Sequence, residues 1–194
     1  IGSLLIDLNT LFWNIKIIDY NLPLVGIIKK QFKFTSTEQS SIDQIKLNLD
    51  KERVTTQNIL IDINNHEMFK HVQKINVGVS KKDILSFRLK PKSAFYNCLA
   101  FVVRIEENNA FKEIHMKLFN TGKIEVPGIQ RDETLFNALE ILFTNIQPHV
   151  KMNCCYKKEN IDTVLINSNF NCGYFIKREI LFRILINKYN IISV

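Results

Sequence analysis

Apolar residues recur along this chain with two periods, one helical and one alternating. Within the first twenty residues Leu4, Leu5, Leu8, Leu11 and Phe12 fall at helical spacing, and Trp13, Ile15 and Ile17 then alternate. This predicts a short helix running into an extended segment, which Asn21-Leu22-Pro23 breaks. From Gly26, Ile28, Lys30, Phe32 and Phe34 form one face of a predicted strand, with Lys29, Gln31, Lys33 and Thr35 on the other. Ser36-Thr37-Glu38-Gln39 has the form of a capping box and predicts a helix with an apolar stripe of Ile42, Ile45 and Leu49.

The stretch from 50 to 95 is less regular. Ile59, Ile61 and Ile63 alternate as a strand, Asn64-Asn65 predicts a turn, and residues 72 to 79 read as a second strand. From Cys98 to Ile105 the pattern sharpens: Leu99, Phe101, Val103 and Ile105 alternate against Cys98, Ala100, Val102 and Arg104. Ile114, Met116 and Leu118 alternate against His115, Lys117 and Phe119. Asn120-Thr121-Gly122 then supplies a hairpin turn, and Ile124 and Val126 continue the apolar face. A helix is predicted from about Arg131 to Ile146, with Leu135, Ala138, Leu139, Leu142 and Ile146 on one side and Asp132 and Glu133 in its first turn. Thr163 to Phe170 alternates again, and Ile176, Ile180, Leu181, Ile184 and Leu185 form a helical stripe. The order strand, helix, antiparallel strands, helix is thus followed by a new strand and helix, the mark of an imperfect tandem repeat.

Charge adds a partner class. The 194 residues carry a formal net charge of +7, which favours a polyanion or an acidic protein face. The runs Lys29-Lys30, Lys81-Lys82 and Lys90-Pro91-Lys92 read as solvated faces and loops. Cys98, Cys154, Cys155 and Cys172 lack C-x-x-C spacing and the four histidines are scattered, so no metal site is expected. No paired carboxylates, phosphate loop or nucleophile with its base stands out; the expectation is a non-enzymatic protein without catalytic residues, cofactor or small-molecule substrate. No run of apolar residues is long enough for a membrane span. The absence of an initiator Met and the strand-like ending Ile191-Ile192-Ser193-Val194 lead to the expectation of a longer parent protein.

One segment carries a resemblance. Leu118-Phe119-Asn120-Thr121-Gly122-Lys123-Ile124-Glu125-Val126-Pro127-Gly128, followed by an apolar helix, is similar to the hairpin of the TATA-box-binding-protein family. There a Phe precedes a small-small-Gly-Lys turn and an alternating strand. The strand Cys98 to Ile105 resembles the one before that hairpin, and Thr163 to Leu185 resembles the opening of the family's second repeat. The wording, in an Asn-, Ile- and Lys-rich chain, looks most like the family's form in large nucleocytoplasmic DNA viruses.

The resemblance covers roughly residues 26 to 194. It implies an α+β fold: a curved antiparallel sheet with helices on its convex face, one full repeat and the start of a second. Residues 1–25 would be an extension, 26–150 the first repeat with an insertion at about 50–95, and 151–194 the beginning of the second. The implied function is a transcription initiation factor that binds double-stranded DNA through the minor groove. Its further partners would be a viral RNA polymerase and initiation factors, in the host nucleus, a cytoplasmic viral factory or the virion. Lys29, Gln31, Lys33, Arg104, Lys117, Phe119, Lys123, Thr163, Leu165 and Asn167 would face the duplex, with Asn169 beside them. Phe119 would be a wedge between base steps and Arg104 and Lys123 would lie near phosphates. Lys123 reads equally as a solvated hairpin lysine. The family's second wedge position falls on Cys98, with Phe95 or Tyr96 as substitutes after a register shift. Thr163 replaces an Asn, and Glu125 and Pro127 replace small or β-branched residues. Glu125, Pro127 and Cys98 support an alternative: a protein-interaction subunit of a viral transcription complex that keeps the fold without bending DNA.

Overall fold

The computed structural model describes residues 5–52, 54–86, 96–151, 153–166, 171 and 173–190. In chain order the elements are α1 (Leu8–Asn14), β1 (Gly26–Ser36), α2 (Gln39–Leu49), β2 (Val54–Asn64), β3 (Phe69–Gly78), α3 (Lys81–Leu85), β4 (Cys98–Glu107), β5 (Ala110–Phe119), β6 (Ile124–Glu125), α4 (Asp132–Ile146) and α5 (Arg178–Tyr189). Two compact units divide the chain, residues 1–155 and 156–194.

The first unit is an α+β domain built on one open, antiparallel, six-stranded sheet in the order β2-β3-β1-β4-β5-β6. Alternation decides which side of it is covered. Phe32 lies opposite Ile75, Lys30 opposite Val77 and Phe101, and Phe101 opposite Met116, so these side chains share one face. That face forms the core with Leu8, Leu11, Phe12 and Ile15 from α1 and its exit, Ile45 from α2, and Ala138, Leu139, Leu142 and Ile146 from α4. Phe12, Phe32 and Phe34 meet edge to face or tilted, at centroid separations of 4.9 to 6.2 Å. Residues 8–15, expected to belong to an extension, therefore contribute to the core. Strands β2 and β3, from the irregular stretch, extend the same sheet.

Asp7 caps α1 by accepting from the amides of Asn9 and Thr10, both at 3.0 Å. The capping box expected at Ser36 is absent: Glu38 occupies the N-cap of α2 without a side-chain bond. Ser36 is still in the sheet, opposite His71, and its buried hydroxyl has no partner. The box forms instead at Ser80 and Asp83, at the start of α3.

β1 contains one irregularity. Its register with β4 moves from Ile27 opposite Val103 to Lys29 opposite Val102, a β-bulge. Ile27 thereby takes the core-facing place expected of Ile28, and the fully buried Ile28 becomes the extra residue. The two turns flanking β5 have the backbone their sequences require. Asn108 and Asn109 both have positive φ, at 54° and 59°, and Gly122 has φ of 86°.

In the second unit the described residues contain α5 and a 3₁₀ turn at Lys158–Asn160. Asn190, left-handed at φ 52°, closes α5. Of the expected helical stripe, Ile180, Leu181, Ile184 and Leu185 are on this helix and Ile176 precedes it. The strand expected from Thr163 to Phe170 is not seen: residues 163–166 are irregular, and 167–170 lie outside the described residues. An alternating sequence becomes a strand only when a neighbour takes its backbone bonds, and the described part of this unit offers none.

Candidate nucleic-acid interface

The sheet face away from α1, α2 and α4 is fixed by the same register. One cross-strand row runs Asn76, Gln31, Ala100, Lys117, Glu125. The next runs Lys29, Val102, His115, and Arg104 lies opposite Glu113 beyond it. On the other side of the first row, Lys33 pairs with Lys74 and Cys98 with Phe119. Lys29, Gln31, Lys33, Arg104, Lys117 and Phe119 are thus brought to one face by β1, β4 and β5. Lys123 follows in the tight turn, where Gly122 donates to the Phe119 carbonyl at 2.9 Å. Thr163 and Leu165 belong to the second unit, exposed and in irregular backbone, and Asn167 lies outside the described residues.

Much of this face is engaged within the chain. Arg104 is buried and forks onto two carbonyls, Nη1 donating to Leu22 at 2.7 Å and Nη2 to Tyr20 at 2.8 Å. Its guanidinium also stacks over the rings of Tyr20 and Phe111. Lys29 Nζ donates to both carboxylate oxygens of Asp83 at 2.7 Å, joining α3 to β1. Burial works against the Asp83 carboxylate, yet Lys29 and the Ser80 hydroxyl and amide together hold its pKa below the usual range. The Lys81 amide donates to the Glu113 carboxylate at 3.0 and 3.1 Å, a second tie between α3 and this face. Lys33 is buried with its ammonium 3.6 Å from the centre of the Tyr96 ring.

The end of the face formed by β5 and β6 is more open. Lys117 and Lys123 approach Glu125 at 3.4 and 3.3 Å, and Lys123 lies 6.0 Å from the Phe119 ring. Lys123 and then Lys117 hold the Glu125 pKa below the ordinary glutamate value. Phe119 is half-buried, level with Cys98, whose thiol burial pushes its pKa up. A protonated, buried thiol is a poor nucleophile.

Sequence reasoning missed the groups that occupy these cations. The carbonyls of Tyr20 and Leu22 and the Asp83 carboxylate reach the face only through tertiary structure, and no local signal marks them. The Lys117–Glu125 pair could have been found, because a tight turn at 120–122 sets these two residues opposite each other. Among the described residues no group of three or more histidine, cysteine or acidic side chains could hold a metal ion. No helix among them is long and apolar enough to cross a membrane.

Fold and face together define an α+β domain in which an open antiparallel sheet has α1, α2 and α4 on one side, and on the other cations, carboxylates, short polar groups and the rings of Phe111 and Phe119, with α3 tied to part of it. Comparison with protein-family models, curated proteins and solved structures found no match.

Proposed function

We propose that this chain is part of a TATA-box-binding-protein-like transcription initiation factor that binds duplex DNA through the minor groove. The observation that carries the reading is the shared placement of Lys29, Gln31, Lys33, Arg104, Lys117 and Phe119 on the sheet face opposite α1, α2 and α4. The element order supports it: β1, α2, the run β2 to β6, then α4 follows the plan of one saddle repeat. In this role Lys117 and Lys123 meet phosphates and Phe119 enters between base steps. The energy of bending is offset by contacts that the bent duplex permits. The complex would recruit a viral RNA polymerase and its initiation factors.

Phosphate contacts release counterions, so affinity for duplex DNA should fall steeply as salt is raised from about 50 to about 200 mM. Fluorescence anisotropy with a labelled duplex measures this; an affinity independent of salt rejects the reading.

A second reading is favoured by one observation: Arg104 and Lys29 are already engaged by the carbonyls and Asp83. In it the domain is a protein-interaction subunit of a viral transcription complex that keeps the fold without bending DNA. Phe119→Ala separates the two. End-to-end energy transfer across a bound duplex loses its bending signal under the first reading, whereas binding to the transcription complex is unchanged under the second.

A further inference from the structure

The Glu125 carboxylate is shared between two lysines, one oxygen to each. Oε1 is 3.3 Å from Lys123 Nζ and Oε2 is 3.4 Å from Lys117 Nζ. The three residues are held by different devices. The register of β5 with β6 puts Lys117 directly opposite Glu125, and the Gly122 turn carries Lys123 to the other side of the carboxylate. Phe119, two residues from Lys117 on the same face, lies next to Lys123. An anion with two oxygens therefore lies between two lysines, beside Phe119.

We infer that Glu125 is an affinity- and specificity-setting residue, an internal stand-in for a backbone phosphate of duplex DNA that the duplex must displace to reach Lys117 and Lys123. This rests on the DNA-binding reading and adds to it how the site is regulated by its own charge. A phosphodiester presents two non-bridging oxygens carrying one negative charge, as a carboxylate does. The exchange costs little only when the phosphate is well placed, since the lysines otherwise keep the partner they have. The pair is partly solvated: the side chains of Lys117 and Glu125 are 37% and 39% exposed and that of Lys123 66%. The carboxylate can therefore swing away into water without leaving a buried charge behind. Glu125 also repels the phosphate it makes room for, so its presence lowers affinity for every duplex. The loss is greatest for those that fail to place a phosphate between the two lysines.

The test compares the wild-type chain with Glu125→Gln and Glu125→Ser for binding to a labelled mixed-sequence duplex across a salt series, with thermal melting to confirm folding. Removing the charge should tighten binding about three- to tenfold and steepen the slope of log affinity against log salt by about 1. Both variants should behave alike, because the effect follows the charge and not the side-chain shape. Wild-type binding that neither variant strengthens overturns the inference while leaving the DNA-binding reading standing. Binding by the variants alone, with wild type too weak to measure, supports it. If no form of the chain binds duplex, both readings fail.

Discussion

Arg104 and Tyr20 are joined twice, by a hydrogen bond from Nη2 to the Tyr20 carbonyl at 2.8 Å and by the guanidinium lying 4.7 Å from the centre of the Tyr20 ring. The segment before β1 is thereby pinned across the end of β4. A planar guanidinium suits this work because its fork reaches two carbonyls at once while its face stacks on an aromatic ring.

The first prediction follows from that fork. Arg104→Met should cost about 2 kcal/mol of stability in urea unfolding, from two charge-assisted bonds and a cation–π contact. Arg104→Lys should recover little, since an ammonium cannot reproduce the planar pair. Lys117→Met should lower stability much less but flatten the salt dependence of DNA binding by about 1 unit of slope. An Arg104→Met variant with a flatter salt slope and unchanged stability would mean that this arginine works on the ligand and not on the fold.

Lys30 makes a second test. It is fully buried on the helix side, donating to the Ile15 carbonyl at 2.8 Å and to Glu52 at 3.0 Å, with its ammonium 5.0 Å from the centre of the Phe12 ring. Removing one partner of such a pair harms more than replacing the charge by an apolar group. Glu52→Gln should therefore cost about 2–3 kcal/mol, less than a wholly buried pair because Glu52 is partly exposed, and Lys30→Met should cost less than that. Burial lowers the Lys30 pKa, against the pull of Glu52. Below the lowered folded value both states carry the proton, and the folded state bears the full penalty of its buried charge. As pH rises between the folded value and the ordinary lysine range, the unfolded state holds more protons and the penalty is relieved. Wild type should accordingly gain stability relative to Lys30→Met across that alkaline window. A difference constant with pH would contradict the burial argument.

These two residues also mark how far the sequence could be read. The alternation of Leu99, Phe101, Val103 and Ile105 against Cys98, Ala100, Val102 and Arg104 sorts the faces of β4 as the structure has them, because packing on one side demands it. The same holds for Ile114, Met116 and Leu118 and for the stripe of α4. Pattern fails where a partner far along the chain decides. The bulge at Ile28, the lost cap at Ser36 and the irregular backbone at Thr163 all depend on which strand lies alongside. The strand face on which each of Lys29, Gln31, Lys33, Arg104, Lys117 and Phe119 lies was legible from period alone. Their engagement by Asp83, Tyr20 and Leu22 was not, since hydrogen bonds across 54 to 84 residues leave no local trace.

Gly78 supplies a third prediction. It ends β3 at φ of 83°, opposite Lys29 at the bulge, and a Cβ placed there would run into the Ile28 carbonyl and come within 2.7 Å of Ile17 Cδ1. A backbone carbonyl on the neighbouring strand cannot turn aside as a flexible side chain can. Gly78→Ala should cost about 2–4 kcal/mol by urea unfolding, combining left-handed strain with the clash. A loss below about 0.5 kcal/mol would show that the bulge relaxes freely.

The last prediction concerns the division of the chain. Every side chain of the described core cluster lies between Leu8 and Ile146, with partly buried residues packed on it as far as Cys154. The first unit therefore carries its own hydrophobic core and needs no apolar surface from beyond residue 155. In the second unit Val164, Leu165, Ile166, Tyr174 and Phe175 are exposed, and its backbone between 161 and 166 is irregular. Such backbone opens for a protease at little cost, whereas the sheet must unfold first. Limited proteolysis should cut first between about 156 and 166. The chain ending at Cys155 should then melt cooperatively within about 5 °C of the full chain, because the lost residues supply none of the described core. It should also stay dispersed at concentrations where the full chain associates through its exposed apolar residues. A truncated chain that melts without cooperativity, or well below the full chain, would mean that the sheet depends on the second unit for its stability.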